Sequence, residues 1–211
     1  MKIPIIEPIK NKIGLKLNSP IRKGFKQDVI FIHINKTAGT SIINITGKPF
    51  RKHLTAKEII KAVGKKKWNK AYKFSVVRNP WDKMVSHYKH NIKVNPKRMM
   101  DGDAIITFEK WIKCTLGENK IKKFYNRPQH FLPQVEWLKD DEGAIKIDKI
   151  IKFENLNEDF RDVAEALGIN EELPHLNKTR KTNYKDFYND EIRNMVADWF
   201  AEDIKMFNYS F

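Results

Sequence analysis

The sequence predicts an α/β fold in which a central, mostly parallel sheet is flanked by helices. The segment Val29 to Ile34 is nearly all apolar, which suits a strand buried on both faces of a parallel sheet. Tyr72 to Val77 and Ile147 to Phe153 are further strand candidates, and apolar residues recur at helical spacing between and after them. This alternation of strand and helix is typical of α/β proteins.

The predicted helices carry recognisable start or stop signals. Thr55 and Glu58 form a capping-box pattern, and Pro80 stands where helices favour their first residue. The predicted helices run from about Thr40 to Gly47, from Thr55 to Gly64, from Pro80 onward, over 107–116 and 128–139, from a cap at Asn157 to Gly168, and over 189–205.

The length of the chain favours one main domain. Its 211 residues, of which 41% are hydrophobic, are enough for one sizeable core. Residues 1–28 are rich in Pro and Lys and are predicted to form an arm over the body, whereas 29–211 are predicted to form a single domain. No repeat or low-complexity segment interrupts this organisation.

The composition favours an anionic ligand. The 41 Lys and Arg residues against 26 Asp and Glu give a formal charge of +15, which attracts nucleotides, acidic glycans, nucleic acid or anionic membranes. Cys114 is the single cysteine, so no intramolecular disulfide forms, and it is expected in the core. No apolar run approaches the ~20 residues of a membrane span, and the N-terminus lacks the apolar stretch of a signal peptide, so a cytoplasmic location is expected.

A candidate phosphate-binding turn follows the first strand. It contains Lys36, Thr37, Gly39, Thr40 and Ser41. α/β proteins hold phosphate at such turns, because backbone N–H groups and the helix dipole face the anion. Gly39 permits a close approach of the backbone, the hydroxyls add hydrogen bonds, and Lys36 can neutralise charge that develops on a leaving oxygen.

The nucleotide-triphosphatase loop, G-x-x-x-x-G-K-[ST], is the obvious comparison for this turn. Lys36 and Thr37 match its end, but Ile30 and Asn35 stand where its two glycines belong. The missing glycines argue against a kinase or an ATPase.

A second candidate site follows the second strand. Arg78 ends that strand, the next helix begins at Pro80, and Ser86 lies about two helical turns further along. Because the carboxyl ends of strands share one crevice in a doubly wound sheet, the loops of Arg78 and Lys36 are expected to form a two-anion site. Arg78 can bind a phosphate through two parallel N–H bonds, and Ser86 adds a hydroxyl.

These residues resemble the motifs of a known family. The run KTAGTS at 36–41 is similar to the 5′-phosphosulfate loop of sulfotransferases that use 3′-phosphoadenosine 5′-phosphosulfate (PAPS), and Arg78 with Ser86 resembles their 3′-phosphate motif. The segments IHINKTAGTSI and VVRNPWDKMVSHY most resemble the carbohydrate-type, family 2-like members, which usually have Pro in place of Asn35 and Arg in place of Lys83. Weaker likeness in IIKFENL, LPHLNKT and the closing helix extends the resemblance over 29–211.

The resemblance implies a P-loop-like three-layer form of the fold and transfer of a sulfuryl group from PAPS to a hydroxyl or amine. The desulfated nucleotide (PAP) would be the product, and a carbohydrate is the favoured acceptor. It assigns donor binding to Lys36, Thr37, Ala38, Gly39, Thr40, Ser41, Arg78 and Ser86. Arg180, in a later basic segment, is either a further anion contact or part of a solvated cluster. No metal ion is required, because Lys36 and backbone dipoles can carry the charge. The sequence also contains no dense carboxylate cluster that would suggest one.

Six histidines compete for the role of catalytic base. His53 is the chosen candidate, because it follows the first helix and lies on a loop expected beside the crevice. The resemblance also implies a histidine base in this interval. His33 lies inside the first strand and is expected in the core or behind the site. The other candidates are His87, His90, His130 and His175, and Glu136 or Asp140 could replace a histidine.

Other function classes stay open. A P-loop kinase or nucleotide hydrolase would need ATP and Mg²⁺, and a basic nucleic-acid-binding protein would bind any polyanion in a salt-dependent way, although no nucleic-acid motif is recognisable. An inactive family member that binds nucleotide as a scaffold is disfavoured, because Lys36, Arg78 and Ser86 are retained. The sequence therefore predicts a sulfotransferase with a small-molecule or glycan acceptor and no nucleic-acid partner.

Overall fold

The structure of the protein is a computed structural model that describes residues 19–48, 51–170, 173 and 183–211. Its strands are β1 (Ile21–Arg22), β2 (Val29–Ile32), β3 (Tyr72–Val77), β4 (Met100–Asp101), β5 (Ala104–Ile105) and β6 (Lys149–Lys152). Its α-helices are α1 (Gly39–Thr46), α2 (Ala56–Val63), α3 (Lys65–Lys70), α4 (Pro80–Val94), α5 (Phe108–Leu116), α6 (Gln134–Leu138), α7 (Leu156–Leu167), α8 (Asp190–Trp199) and α9 (Ala201–Phe207). Short 3₁₀ turns cover 96–99, 128–131, 153–155 and 184–187.

The described residues divide into two compact units. The first contains those within Met1–Val77 and Glu136–Leu176, and the second contains those within Arg78–Val135 and Asn177–Phe211. The division into an arm over 1–28 and one domain over 29–211 stays a prediction. No helix among the described residues has both the length and the apolar character needed to cross a membrane.

The sheet of the first unit confirms the predicted α/β class. Its strand order is β1-β2-β3-β6, with β2–β3 and β3–β6 parallel and β1 antiparallel at the edge. The register sets Phe31 opposite Phe74 and Val76 opposite Ile151. Side chains of this sheet, of α1 and of α7 share one apolar core: Val29, Ile42, Phe74, Val76, Ile151, Phe160, Val163 and Leu167.

The second unit is mainly helical. Helices α4, α5 and α8 pack around a core of large apolar side chains, which include Trp81, Met84, Tyr88, Phe108, Trp111, Ile112, Ile192, Val196 and Phe200. Cys114 is buried in this core, as predicted. The Trp81 indole N–H donates to the carbonyl of Arg193, and the Tyr188 hydroxyl donates to the carbonyl of Trp81. The start of α4 is therefore held by residues far along the chain.

Most predicted helix ends are confirmed, because the local capping signals act as expected. Thr55 and Glu58 form a full capping box at α2, and Gly64 follows its last residue. Asn79 caps α4, and Pro80 is the first residue of that helix. The cap predicted at Asn157 is wrong: α7 begins at Leu156, so Asn157 lies in its first turn and Asn155 is the residue before it.

Two predicted helices are broken and several short elements were not predicted. The helix over 128–139 divides into a 3₁₀ turn and α6, because Pro133 has no N–H to donate and disfavours helical backbone at the residue before it. The last helix divides at Phe200, which has φ −109° and ψ 27° between α8 and α9. Strand β6 is also shorter than predicted, and the elements that gave no sequence signal were β1, α3, β4 and β5.

Candidate functional site

The turn between β2 and α1 has unusual backbone geometry. Lys36 and Ala38 both have positive φ, at 68° and 62°, although neither is glycine. Residues with a Cβ rarely adopt this left-handed backbone conformation, because it brings the Cβ too close to a carbonyl oxygen of the backbone. Left-handed residues in a turn let successive N–H groups face the same side, and this arrangement binds anions.

Helix α1 begins at this turn without the usual partners for its first N–H groups. Its preceding residue, Ala38, offers no side-chain cap, and the first turn of the helix contains no acidic residue. The other described helices of eight or more residues have an acidic first turn, a side-chain cap or both: α2, α4, α5, α7 and α8. The positive end of the α1 dipole and its first N–H groups therefore suit an external anion.

The hydroxyl residues of the turn have different surroundings. Thr37 is fully buried, and its hydroxyl donates to the carbonyl of Ile34 at 2.9 Å. Thr37 therefore fixes the turn with its side chain and can meet an anion only through its backbone. Thr40 is exposed, whereas Ser41 is buried in the first turn of the helix.

Gly39 is required by the imidazole of His33. A Cβ added to Gly39 would lie 1.7 Å from His33 Nε2. The His33 ring therefore packs directly against the start of α1. Although β2 ends one residue earlier, the side chain of His33 reaches the turn that the sequence singled out.

His53, the predicted base, lies beside His33. Its ring centroid is 4.2 Å from that of His33, and its Nδ1 is 3.0 Å from the carbonyl oxygen of His33. A carbonyl only accepts hydrogen bonds, so Nδ1 carries the proton and the neutral His53 ring has its lone pair on Nε2. His53 also has positive φ, at 59°, and its ring meets the edge of Trp137 at 6.4 Å.

His33 is neutral in this environment. Its side chain is buried, and Nδ1 has no hydrogen-bond partner. Burial, together with the charges of His53, Lys52 and Lys36, lowers the pKa of His33 from 6.5 to about 3. An uncharged ring can pack closely against His53 without repelling a proton that His53 accepts.

A small cavity opens beside the two histidines in the first unit. Its apolar wall includes Val29, Phe31, Ile43, Leu54 and Ile59, and its polar groups come from Arg22, His33, Arg51, Lys52 and His53. Nη2 of Arg22 is buried without a hydrogen-bond partner, and burial lowers the pKa of this guanidinium. The cavity therefore combines an apolar wall with cationic groups.

Arg78, in the second unit, is held both at its guanidinium and at its backbone. Its Nε and Nη2 both contact Oδ2 of Asp82 at 2.8 Å. Its backbone N–H donates to the side chain of Gln134, which donates back to the Arg78 carbonyl. Ser86 is half-buried on α4, two turns beyond the start of that helix.

The remaining candidates take other positions. Glu136 pairs with Lys139, and the buried Asp140 accepts the N–H groups of Glu142 and Ala144 within a turn. The other described histidines lie in the second unit, where His87 packs against Phe131 and Trp111, and His130 lies 5.7 Å from His87. Arg180 and His175 lie outside the described residues. Among the residues that are described, no cluster of three or more His, Cys, Asp or Glu could hold a metal ion.

The structure thus brings part of the predicted site together in the first unit. His53 and the Lys36 turn are linked there through His33 and Gly39. Arg78 and Ser86 belong to the second unit, although Arg78 directly follows β3, the parallel neighbour of β2. The sequence did not single out His33 as a contact of Gly39, nor Gln134 as a partner of Arg78.

Comparisons with known proteins give the family of the chain. The crystal structure of a sulfotransferase from Alicyclobacillus acidocaldarius is similar over 87% of each chain, with 14% sequence identity and a TM-score of 0.38. An uncharacterized protein of Archaeoglobus fulgidus is 30% identical over 124 residues, which are 58% of this chain and 90% of that protein. The model of the sulfotransferase family matches residues 25–210, a range that contains the Lys36 turn, His53, Arg78 and Ser86. With nearly the whole chain matched, the protein belongs to the sulfotransferase family.

Proposed function

We propose that this sulfotransferase uses PAPS as its donor and transfers the sulfuryl group to a hydroxyl or amine of its acceptor, with a carbohydrate as the favoured class. The observation that carries the proposal is the Lys36 turn, where two left-handed residues and an uncapped helix start pack against His33, whose ring contacts His53. Membership of the family supports sulfuryl transfer, and the turn supports an anionic donor.

The donor group fits the turn by its charge and by the close approach of backbone. Gly39 and Thr40 are the first residues of α1, so no carbonyl of that helix can accept their N–H groups. Ala38 and Gly39 carry little or no side chain that would keep an anion away from the backbone. Lys36, half-buried at the turn, would neutralise the negative charge that develops on the leaving phosphate oxygen.

The second phosphate of the donor is proposed to bind Arg78 and Ser86. A guanidinium can bind a phosphate through two parallel N–H bonds, and Asp82 holds the guanidinium of Arg78 in place. Arg180 is kept as a further proposed anion contact. PAPS, when bound, supplies the activated sulfuryl group.

His53 is proposed to act as the base. The neutral ring presents the lone pair of Nε2, since Nδ1–H is directed to the His33 carbonyl. Nε2 would take the proton of the acceptor hydroxyl while the new oxygen–sulfur bond forms and the bond between sulfur and the phosphate oxygen breaks. The proton leaves the acceptor and the electron pair goes to the phosphate, so the step needs no further reactant.

The cavity beside His53 is proposed to receive the acceptor. Its volume is about 20 Å³, room for about one water molecule, so a substituent of the acceptor and not a whole sugar ring would enter it, against an apolar wall that includes Phe31. The cationic groups of Arg22, Arg51 and Lys52 would donate hydrogen bonds to hydroxyl or acidic substituents. This arrangement supports a carbohydrate acceptor without selecting one sugar.

Calorimetric titration with PAP tests the donor site. We expect the wild type to bind PAP in the micromolar range, and Lys36→Ala and Arg78→Ala each to weaken binding at least about tenfold by removing a charged partner. Ser210, exposed near the C-terminus, offers a matched control in Ser210→Ala, which should bind PAP like the wild type. ATP with Mg²⁺ is the competing ligand.

The outcomes separate the function classes. Binding of ATP with Mg²⁺ and not of PAP would overturn the proposal in favour of a kinase or nucleotide hydrolase. Once PAP binding is established, transfer of labelled sulfate from PAPS to a panel of sugars tests the acceptor class. His53→Ala should then abolish transfer while PAP binding stays within about twofold, because the base does not hold the nucleotide.

A further inference from the structure

The peptide of Arg78 is bound on both sides by one side chain. The Arg78 N–H donates to Gln134 Oε1 at 2.9 Å, and Gln134 Nε2 donates to the Arg78 carbonyl at 2.8 Å. Two hydrogen bonds in opposite directions are what a neighbouring strand would give this residue. Gln134 therefore continues the pairing of the backbone just after β3 ends, and it restricts the backbone angles from which the Arg78 side chain departs.

Gln134 is oriented in turn by a buried carboxylate. Its Nε2 lies 3.1 Å from Oδ2 of Asp203, which also accepts the Gln134 backbone N–H at 2.8 Å. Oδ1 of Asp203 accepts the N–H of Val135 at 2.9 Å. Because a carboxylate only accepts hydrogen bonds, it fixes which end of the Gln134 amide carries the NH₂ group.

The two side chains that are linked in this way are completely buried. Gln134 and Asp203 each have 0% exposure. Burial raises the pKa of Asp203, while the N–H groups of Gln134 and Val135 and the charge of Lys83 lower it. Full burial of a carboxylate and an amide costs free energy unless their polar atoms are hydrogen-bonded. Here the hydrogen bonds of Asp203 orient Gln134, and those of Gln134 reach the backbone of Arg78.

The guanidinium of Arg78 is fixed separately by Asp82. Nε and Nη2 both meet the same carboxylate oxygen. With Gln134 at the backbone and Asp82 at the guanidinium, Arg78 loses conformational freedom before any ligand arrives. Binding an anion then costs less side-chain entropy than it would for a mobile arginine.

We propose that Gln134 and Asp203 are positioning residues that hold Arg78 ready to bind the 3′-phosphate of the nucleotide. This inference rests on the proposed function, since it takes Arg78 as the ligand of that phosphate. Neither residue touches the nucleotide in this proposal. They act through the Arg78 peptide, and their effect should therefore appear only with ligands that carry the phosphate that Arg78 binds.

The test compares two nucleotides in the full-length protein. PAP carries the 3′-phosphate, and adenosine 5′-phosphate lacks it. We expect Gln134→Leu, which is similar in size but makes no hydrogen bond, to weaken PAP binding about tenfold and to change adenosine 5′-phosphate binding less than about twofold. Asp203→Asn is the second variant, because its amide would point a donor at the N–H groups of Gln134 or Val135, and it should shift the same ratio in the same direction.

Tyr88→Phe is the control for a loss of stability alone. The Tyr88 hydroxyl donates to the carbonyl of Ile106 at 2.5 Å, so the variant loses a buried hydrogen bond of the same unit that involves neither Arg78 nor Gln134. It should lower the melting temperature while leaving the ratio of the two nucleotide affinities unchanged. A merely structural role for Gln134 would give the same unchanged ratio.

A double variant completes the experiment. If Gln134 acts through Arg78, adding Gln134→Leu to Arg78→Ala should weaken PAP binding no further. Wild-type protein that binds PAP, loses it in Arg78→Ala and keeps it in both Gln134→Leu and Asp203→Asn would overturn this inference and leave the proposed function intact. Wild-type protein that does not bind PAP would overturn both.

Discussion

The Lys36 turn and the Arg78 segment each follow a parallel strand, yet they are built in opposite ways. The Lys36 turn relies on its own backbone: Lys36 and Ala38 are left-handed, and Gly39 leaves space for a neighbouring ring. Arg78 follows ordinary backbone, because positive φ among the described non-glycine residues occurs at Lys36, Ala38, His53 and Asn208. Its position depends instead on side chains from Asp82 and Gln134.

This difference has a physical reason in the kind of contact that each region is proposed to make. A turn that surrounds an anion with N–H groups needs special backbone angles and small residues within a few positions of one another. A single guanidinium aimed at a phosphate needs a fixed side chain, and any buried partner in the folded chain can supply it. Strain in the first region and burial of polar groups in the second are therefore the features to test.

The largest expected effect is a loss of stability of the first unit in acid. His33 has its pKa lowered to about 3 in the folded state, so between pH 6.5 and 3 the unfolded chain takes up a proton that the folded chain does not. The free energy of unfolding therefore decreases as the pH is lowered from 6.5 to 3, by at most about 5 kcal/mol in total. Urea unfolding at intervals from pH 7 to pH 4 measures the loss.

The control for acid unfolding is His33→Asn, which cannot titrate. Carboxylates titrate in the same window, so the informative quantity is the difference between the two proteins. The free energy of unfolding of His33→Asn should depend less on pH than that of the wild type. Parallel curves for the two would show that His33 is not the buried, neutral group described here.

The next effect comes from the contact between Gly39 and His33. Gly39→Ala places a methyl group 1.7 Å from His33 Nε2, which forces the buried ring or the helix start to move. We expect a loss of about 3 kcal/mol, at the upper end for overpacking in a core. Urea unfolding measures it, and PAP titration reports whether the turn is still formed.

A compensating variant separates the clash from other effects of alanine. In a His33→Ala background the added methyl group has room, so Gly39→Ala should then cost less than about 1 kcal/mol. An equal cost in both backgrounds would mean that the helix start, and not the ring, demands glycine.

A buried charge in the second unit gives the third effect. Lys83 is buried, its Nζ has no hydrogen-bond partner, and it lies 5.1 Å from the centre of the Phe200 ring. Burial lowers its pKa from 10.5 to about 8, although the charge of Asp203 opposes this shift. Below pH 8 both states carry the charge and the folded state bears the full cost, so stability should rise from pH 8 to pH 10.5 as Lys83 loses its proton.

Lys83→Met should therefore stabilise the protein at pH 7, by about 2 kcal/mol after the loss of the contact with Phe200. Unfolding in urea at pH 7 and pH 10 measures the difference, which should shrink at the higher pH. Lys93→Met, at an exposed position of the same helix, is the matched control and should show neither effect. A less stable Lys83→Met at pH 7 would contradict the interpretation of Lys83 as a net cost.

The same contrast explains how much could be predicted from the sequence. The Lys36 turn and His53 are recognisable, because glycine, lysine and capping residues act within a few positions along the chain. Gln134 and Asp203 gave no signal, since their contacts with Arg78 and with each other join residues 56 and 69 positions apart. The break at Pro133 could have been predicted from the proline alone, whereas the break at Phe200 depends on how that buried side chain packs.

The smallest effect sharpens the comparison at the level of one residue. Ala38 has φ 62°, a conformation that glycine adopts without strain, so Ala38→Gly should stabilise the protein or leave it unchanged, with a gain of up to about 1 kcal/mol. At the second region, Asn79→Gly removes the side chain that accepts the N–H groups of Trp81 and Asp82 and that donates to the carbonyl of Ser210, so it should cost about 1 kcal/mol. Thermal unfolding of the two variants side by side measures both changes. Opposite signs would show that left-handed strain is a property of the Lys36 turn, whereas a destabilising Ala38→Gly would mean that the methyl group of Ala38 makes a contact worth more than the strain that it imposes.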